Sequence, residues 1–317
     1  MSESYIKEVN VLKGPIFQLL KKEGYQAVDM HYHSCFSVDG LSKIPSVLKK
    51  CETEGIGTSF TDHNHIGGTI QACKLAKKKV FVIPGIELTC HNGVHILLHF
   101  SKLNESLNFY NQEMKQRLVK NPWFLDIDHN EVVDIASNYN CLITAPHPFG
   151  PGAIGIKKFP INYSTLKKIH AVEVINGCCE GQMNPKALAW AKSLRKGFTG
   201  GSDGHCLTEH GTAFTICHAE TVEEFLEQIR KNKSLVIGKE EKILDEAVHS
   251  IEKFVREEEK TPSKQLEHMW LDRGLLEWNY LKEKIKLSHF LPHFNSHHQE
   301  LDNHKLSQHQ HTKHLVK

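Results

Sequence analysis

The sequence predicts an α/β fold whose strands are mostly parallel and curled into a barrel. From residue 25 to about 240, short apolar runs alternate with helix-patterned stretches, which is the rhythm of repeated strand-helix units. The runs repeatedly end in histidine or aspartate, and the chain carries 23 histidines. In folds of this class, ligands gather at the carboxyl ends of the strands.

In chain order, "QAVDMHYH" reads as the first strand. "SKIPSVLKKCETEG" follows as a helix, with Ser42 able to cap it, Leu48 on its apolar face and Gly55 as the stop. "IGTSFTDH" is a strand and "GTIQACKLAKKK" a helix; "VFVIPGIELTC" and "GVHILLHF" are strands. "SLNFYNQEMKQRLVKN" is expected to be helical and "EVVDIASNYN" a short helix. "CLITAPHP" and "HAVEVIN" are strands, "NPKALAWAKSLRKG" is a helix with Pro185 near its start, and "FTGGSDGH" closes the strand series before the helical "TVEEFLEQIRKN". After Gly238 the texture changes. Ile243, Ala247, Val248, Ile251 and Phe254, then Trp270, Leu271, Leu275, Trp278 and Leu281, recur at helical spacing. The expected organisation is an N-terminal segment over 1–24, a barrel over 25–240, a helical extension over 241–288 and a His-rich, disordered tail over 289–317.

Bulk properties exclude several classes. Lys and Arg total 39 against 37 Asp and Glu, so net charge gives no reason to expect a nucleic-acid coat. No run of about 18 apolar residues is present, so no membrane span is expected. The opening "MSESYIKEVNVLKGPIF" lacks an apolar signal core. The nine cysteines are scattered, with no CxxC pair, which suits reduced thiols in a cytoplasmic protein. No protein partner is evident.

The strand ends carry the chemistry. His31 and His33 close the first strand, Asp39 follows in "SVDG", and Asp62 and His63 close the second. Glu87 follows "PGI", His95 opens "HILLHF", His147 stands in "APHP", and Asp203 and His205 in "GGSDGH". Residues two apart on a strand share a face, so His31 and His33 aim together, as do Asp203 and His205. Imidazole and carboxylate aimed at one point are ligands for divalent cations. Nine candidates exceed what a single ion needs and fit two or three. Burying so many imidazoles without cations would leave many polar nitrogens short of partners.

In order, "DMHYHS", "TDHN", "PGIEL", "VHILLHF", "APHP" and "GGSDGH" resemble the PHP (polymerase and histidinol phosphatase) superfamily of metal-dependent phosphoesterases, over about residues 27–215. The resemblance implies a distorted (β/α)7 barrel of PHP type, here with a C-terminal helical extension. The Asp of "SVDG" is similar to the branch that hydrolyses nucleotide and RNA-end phosphoesters. It implies a trinuclear site: His31, His33 and Asp203 on one ion, Glu87 bridging to a second held by His95 and His147, and Asp39, His63 and His205 on a third. The ions would be Mn2+, Fe2+ or Zn2+. A metal-bridging hydroxide, with Asp203 and His205, would attack a phosphorylated small molecule or a nucleotide or oligonucleotide end. Asp62 is expected to orient a ligand imidazole, His99 to sit in the barrel, and His65 and His91 to lie in loops. The alternatives are an amidohydrolase-type hydrolase, which lacks its usual strand-end lysine here, and a metal-binding regulatory module without turnover.

Overall fold

A computed structural model describes residues 5–6, 15–179 and 181–238 of the chain. The helical extension expected over 241–288 and the tail over 289–317 lie outside the described residues. The elements run β1 (Tyr5–Ile6), α1 (Pro15–Lys22), β2 (Tyr25–Tyr32), α2 (Ile44–Glu54), β3 (Gly57–Phe60), α3 (Gly67–Leu75), β4 (Val82–Thr89), β5 (His95–Phe100), α4 (Leu103–Phe109), α5 (His129–Ala136), β6 (Cys141–Ala145), α6 (Tyr163–Lys168), β7 (Ala171–Asn176), α7 (Met183–Leu194), β8 (Gly197–Gly201), β9 (Ala213–His218), α8 (Val222–Arg230) and β10 (Leu235–Gly238).

All ten strands join one sheet in the order β1-β10-β9-β2-β3-β4-β5-β6-β7-β8. Strands β2 to β8 make the seven-stranded, distorted α/β barrel. β2, β3 and β4 run parallel, and so do β6, β7 and β8. β5 runs antiparallel to both of its neighbours, β4 and β6. The barrel closes where the chain leaving β8 meets the end of β2. Asp203 N donates to His31 O at 2.7 Å, His33 N donates to Gly204 O at 2.8 Å, and Tyr32 bridges to Gly204. The first half of that same β2 edge pairs antiparallel with β9.

Gly201 is required at this seam. A Cβ on it would stand 2.3 Å from the His31 Cβ and 2.5 Å from the His31 nitrogen, closer than atoms pack.

Alternation along the strands sorts side chains to two faces. Outward residues pack under the helices: Val28 and Met30 with Phe225, Leu226 and Ile229 of α8, and Ile86, Leu88, Ile96, Leu98 and Phe100 with Phe109, Val132 and Val133. The intervening residues, Asp29, His31, Glu87, His95, His99 and Glu173, are all buried and fill a polar interior.

Several expectations are corrected. The strands are mostly parallel, as expected, but the direction of β5 was not: β4 and β5 form a hairpin through a short turn in which Gly93 takes a φ of +87°. "FTGGSDGH" does not end the strand series, since β9 and β10 follow. The helix expected over 106–121 stops at Phe109, continues as a π-helical turn (Tyr110–Met114) and a 3-10 turn (Lys115–Arg117), then forms a single antiparallel bridge between Leu118 and Leu125. Pro122 cannot continue a helix and disfavours one in the residue before it. Ser42 does not cap α2. Lys43 holds that position, and the Ser42 hydroxyl accepts from Tyr32 OH at 2.7 Å.

Candidate metal centre

All nine sequence-chosen residues converge at one mouth of the barrel. His31 lies on β2 and His33 just beyond it; His63 follows β3; His147 follows β6; Asp203 and His205 follow β8. Glu87 lies within β4, two residues before its end. His95 is the first residue of β5 rather than near a carboxyl end. Because β5 runs against its neighbours, its start lies at the same mouth as their ends.

Three groups could each hold a cation, with their donor atoms within 4.8 Å of one another: His31, His33, Glu87 and Asp203; His63, Glu87 and His95; and His33, Asp39, His63 and His205. Glu87 is shared. Its Oε1 lies 3.0 Å from His95 Nδ1 and 3.2 Å from His147 Nε2, and its Oε2 lies 3.2 to 3.3 Å from His33 Nε2, His31 Nε2 and His63 Nδ1. Asp203 Oδ1 lies 3.2 Å from His31 Nε2 and 3.1 Å from His33 Nε2. Asp39 Oδ2 lies 2.9 Å from His205 Nε2 and 3.6 Å from His63 Nε2. His33 and His63 thus sit closer to neighbouring groups than a division into three separate sets implies.

The donor set fits divalent cations. Glu87 Oε2 and His147 Nδ1 are buried and take no hydrogen bond among the described residues, although buried polar atoms normally have one. Imidazole nitrogens face each other, His31 Nε2 and His33 Nε2 at 3.2 Å and His95 Nδ1 and His147 Nε2 at 3.4 Å. Such pairs are satisfied when a cation sits between them.

Electrostatics point the same way. Burial opposes charge on Glu87, but His95, His31 and His63 hold its carboxyl well below the usual range. Asp203 is likewise held low against burial by His31 and His33, and Asp39 by His205 and His63. Burial also opposes a charged His33, yet Asp203, Glu87 and Asp39 raise it to about 10. His31 is raised against burial by Asp203, Glu87 and Glu173. Burial dominates at His95, which falls to about 4. Three ionised carboxylates in a buried pocket demand positive charge, and cations meet that demand without protonating the imidazoles.

The supporting residues were largely missed from sequence. Glu173 on β7 accepts from His31 Nδ1 at 3.0 Å, His147 N at 2.8 Å and Asn176 Nδ2 at 2.9 Å. Asn176 Nδ2 also donates to Asp203 Oδ2 at 3.0 Å. Asp29 accepts from His31 N, Ser202 N, Ser202 Oγ and Gly211 N, tying β2 to the turn that carries Asp203. Ser37 Oγ reaches Asp39, His33 Nδ1 and His63 N. The available signal was an acid at an inward position of an otherwise apolar strand, Asp29 in "QAVDM" and Glu173 in "HAVEVIN".

Among the described residues Asp62 makes no hydrogen bond to an imidazole. It accepts from Ser34 N at 2.6 Å and Ser34 Oγ at 2.9 Å, pinning the loop after β2. His99 is buried in the barrel and donates to Met30 O, and His65 and His91 are exposed in loops. Two candidate ligands occupy the left-handed backbone region, His147 at φ +24° and Asp203 at φ +53°. Such conformations cost about 1–3 kcal/mol each and persist where surrounding bonds hold them, here Glu173 to His147 N and His31 O to Asp203 N.

A seven-stranded α/β barrel with a buried imidazole–carboxylate cluster at its mouth defines a metal-site barrel. Comparison with known proteins extends this. Residues 29–147 match the model of the PHP domain, and residues 181–234 match that of the PHP-associated region. An uncharacterized protein of Methanocaldococcus jannaschii is 30% identical over 191 residues, which are 59% of this chain and 68% of that one. The chain belongs to the PHP family.

Among solved structures, a two-domain protein of Bacteroides vulgatus containing a PHP-like metal-dependent phosphoesterase aligns with a TM-score of 0.52 and 18% identity, over 73% of this chain and 71% of that one. The lesion-specific endonuclease Q of Pyrococcus furiosus aligns with a TM-score of 0.55 and 18% identity, over 67% of this chain and 57% of its own. Among the described residues no helix is long and apolar enough to cross a membrane.

Proposed function

We propose that the chain is a metal-dependent phosphoesterase that hydrolyses phosphate mono- or diesters, with a nucleotide or a short RNA or DNA end as substrate. The reading assigns His31, His33, Asp39, His63, Glu87, His95, His147, Asp203 and His205 as ligands of two or three divalent cations, Mn2+, Fe2+ or Zn2+. The observation that carries it is the sharing of Glu87, whose two oxygens stand 3.0 to 3.3 Å from five imidazoles. Such a bridging carboxylate suits adjacent cations and a substrate whose charge they can offset.

When bound, the cations supply Lewis acidity, drawing a phosphoryl group into the site and making water acidic enough to attack it. The protein's own residues set the geometry. Glu173 fixes the His31 ring through Nδ1, which leaves Nε2 to face the centre. Asn176 holds Asp203 by Oδ2, so Oδ1 faces His31 and His33. Asp203 and His205 are assigned catalytic parts: Asp203 orients the attacking side of the centre, and His205, paired with Asp39 at 2.9 Å, holds the side that faces the leaving oxygen.

The structure of endonuclease Q with a 27-mer duplex bearing an abasic lesion at its active site favours a nucleic-acid phosphoester among the candidate substrates. No disulfide forms among the nine cysteines, which supports a cytoplasmic placement. The activity is assigned to the barrel over 25–240.

Metal-depleted protein resupplied with Mn2+, Fe2+ or Zn2+ and given simple phosphate mono- and diesters tests the reading. Cation-dependent phosphoester hydrolysis is expected. Full cation loading with no hydrolysis of either ester class overturns it.

A further inference from the structure

Two aromatic side chains stand beside this centre without a part in it. Phe36 is 38% exposed, unusual for a phenylalanine, and stacks on the exposed His65 ring with centroids 5.7 Å apart and planes within 11°. The pair joins two of the three segments that carry the group of His33, Asp39, His63 and His205. Phe36 follows His33 by three residues, between Ser34, whose Oγ accepts from Phe36 N, and Ser37, which reaches His33, Asp39 and His63. His65 follows His63 by two residues, and its Nδ1 accepts from Gly67 N at 3.1 Å.

The backbone makes room for the stack. A Cβ on Gly67 would stand 2.5 Å from both His65 Cε1 and Phe36 Cδ1, so both rings lie directly against the first residue of α3. Only a residue without a side chain permits that packing. From a third segment Trp123 packs against His63, with centroids 5.2 Å apart and planes tilted by 54°, and Pro122 O receives Asn64 Nδ2. The mouth is therefore aromatic on the His63 side.

We propose that the Phe36–His65 stack is a platform for a planar nucleobase whose phosphate sits at the cation centre. The assignment rests on the phosphoesterase reading above and deepens it by naming the residues that select the substrate. An exposed aromatic pair whose members stand three and two positions after the candidate ligands His33 and His63 fits a ligand that joins a planar ring to a phosphate. Stacking on such a surface accepts any base, so the platform selects nucleotides over sugar phosphates without reading sequence.

The test is calorimetric binding of AMP, ribose 5-phosphate and phenyl phosphate to the full, Mn2+-loaded chain. AMP is expected to bind about tenfold or more tightly than ribose 5-phosphate. Phe36→Leu, which keeps the apolar bulk and removes the ring, is expected to bring that ratio toward one, and Phe36→Tyr to retain it. Equal binding of AMP and ribose 5-phosphate by the parent chain overturns the proposal, as does a ratio undiminished in Phe36→Leu. Phenyl phosphate binding as tightly as AMP overturns the nucleobase assignment in favour of aryl phosphates. Phosphate release is read separately: a chain that prefers AMP but hydrolyses no ester refutes the phosphoesterase reading and sustains the platform.

Discussion

His31 Nδ1 donates to Glu173 Oε1 at 3.0 Å, linking residues 142 positions apart on β2 and β7. The other Glu173 oxygen holds the backbone of His147 and the amide of Asn176. One carboxylate thereby sets the ring of one candidate ligand and the left-handed backbone of another. Glu173→Gln is expected to keep the fold, read by circular dichroism, and to weaken cation binding about 10- to 100-fold, read by Mn2+ titration. Unchanged affinity would remove Glu173 from the supporting role.

Glu87 is the hub of the cluster, so its loss should exceed that of any peripheral ligand. Glu87→Gln keeps the volume and removes the charge. Elemental analysis is expected to find less metal per chain, and ester hydrolysis to fall by about a hundredfold or more. A fully loaded Glu87→Gln protein would show that the carboxylate does not bridge cations.

Chelation should destabilise the protein, because cations that bind only the folded state stabilise it by mass action. At a cation level about a hundred times Kd this amounts to about 2.7 kcal/mol, a shift in Tm of about 5–10 °C for a domain of this size. Thermal melts before and after EDTA dialysis, then with Mn2+ restored, measure it. Superimposable melts would mean that cations do not occupy the folded cluster.

His170, remote from the cluster, gives a separate pH test. Burial first, then Arg230 and Lys196, lower its pKa to about 4, and its Nδ1 accepts from Ile143 N at 2.9 Å, a bond that needs the neutral ring. The unfolded chain titrates near 6.5, so between pH 6.5 and 4 it binds a proton that the folded chain refuses. The stabilising contribution is complete above about 6.5 and is lost as pH falls toward 4. His170→Asn removes this titration. Urea midpoints at pH 7 and pH 5 should fall less in the variant than in the parent, and equal falls would sink the assignment.

Gly201→Ala places a methyl against His31. It is expected to cost about 1–3 kcal/mol and to lower cation content together with stability. A variant that lost stability yet loaded normally would separate the seam from the centre.

The cluster was legible because its chemistry is unusual: imidazoles at i and i+2 on a strand, and acids closing apolar runs, leave few other readings. The α/β rhythm was legible for the same reason, since β2, β3, β4, β6 and β7 each pair an apolar outer face with a distinct helix pattern after them or before them. What sequence did not carry was direction. "GVHILLHF" has the same alternation whether it runs with or against its neighbours, and only the short β4–β5 turn forces reversal. The runs "AFTICH" and "LVIG" follow the last strand end that carries a candidate ligand, and without that mark they were not read as β9 and β10. Asp62 bonds Ser34 rather than an imidazole because a strand-end position does not say which way a side chain leaves the strand, whereas Glu173, far off in sequence, is the carboxylate that takes the outer nitrogen of His31.

Beside the Asp29 side-chain bonds, the closure between β2 and the chain beyond β8 uses backbone bonds that involve His31, His33, Asp203 and Gly204 themselves. The clasp that shuts the cylinder is thus built from the same residues as the cavity it shuts. Opening there would part His31 from Asp203, so the wall of the cylinder and the candidate ligand set depend on the same bonds.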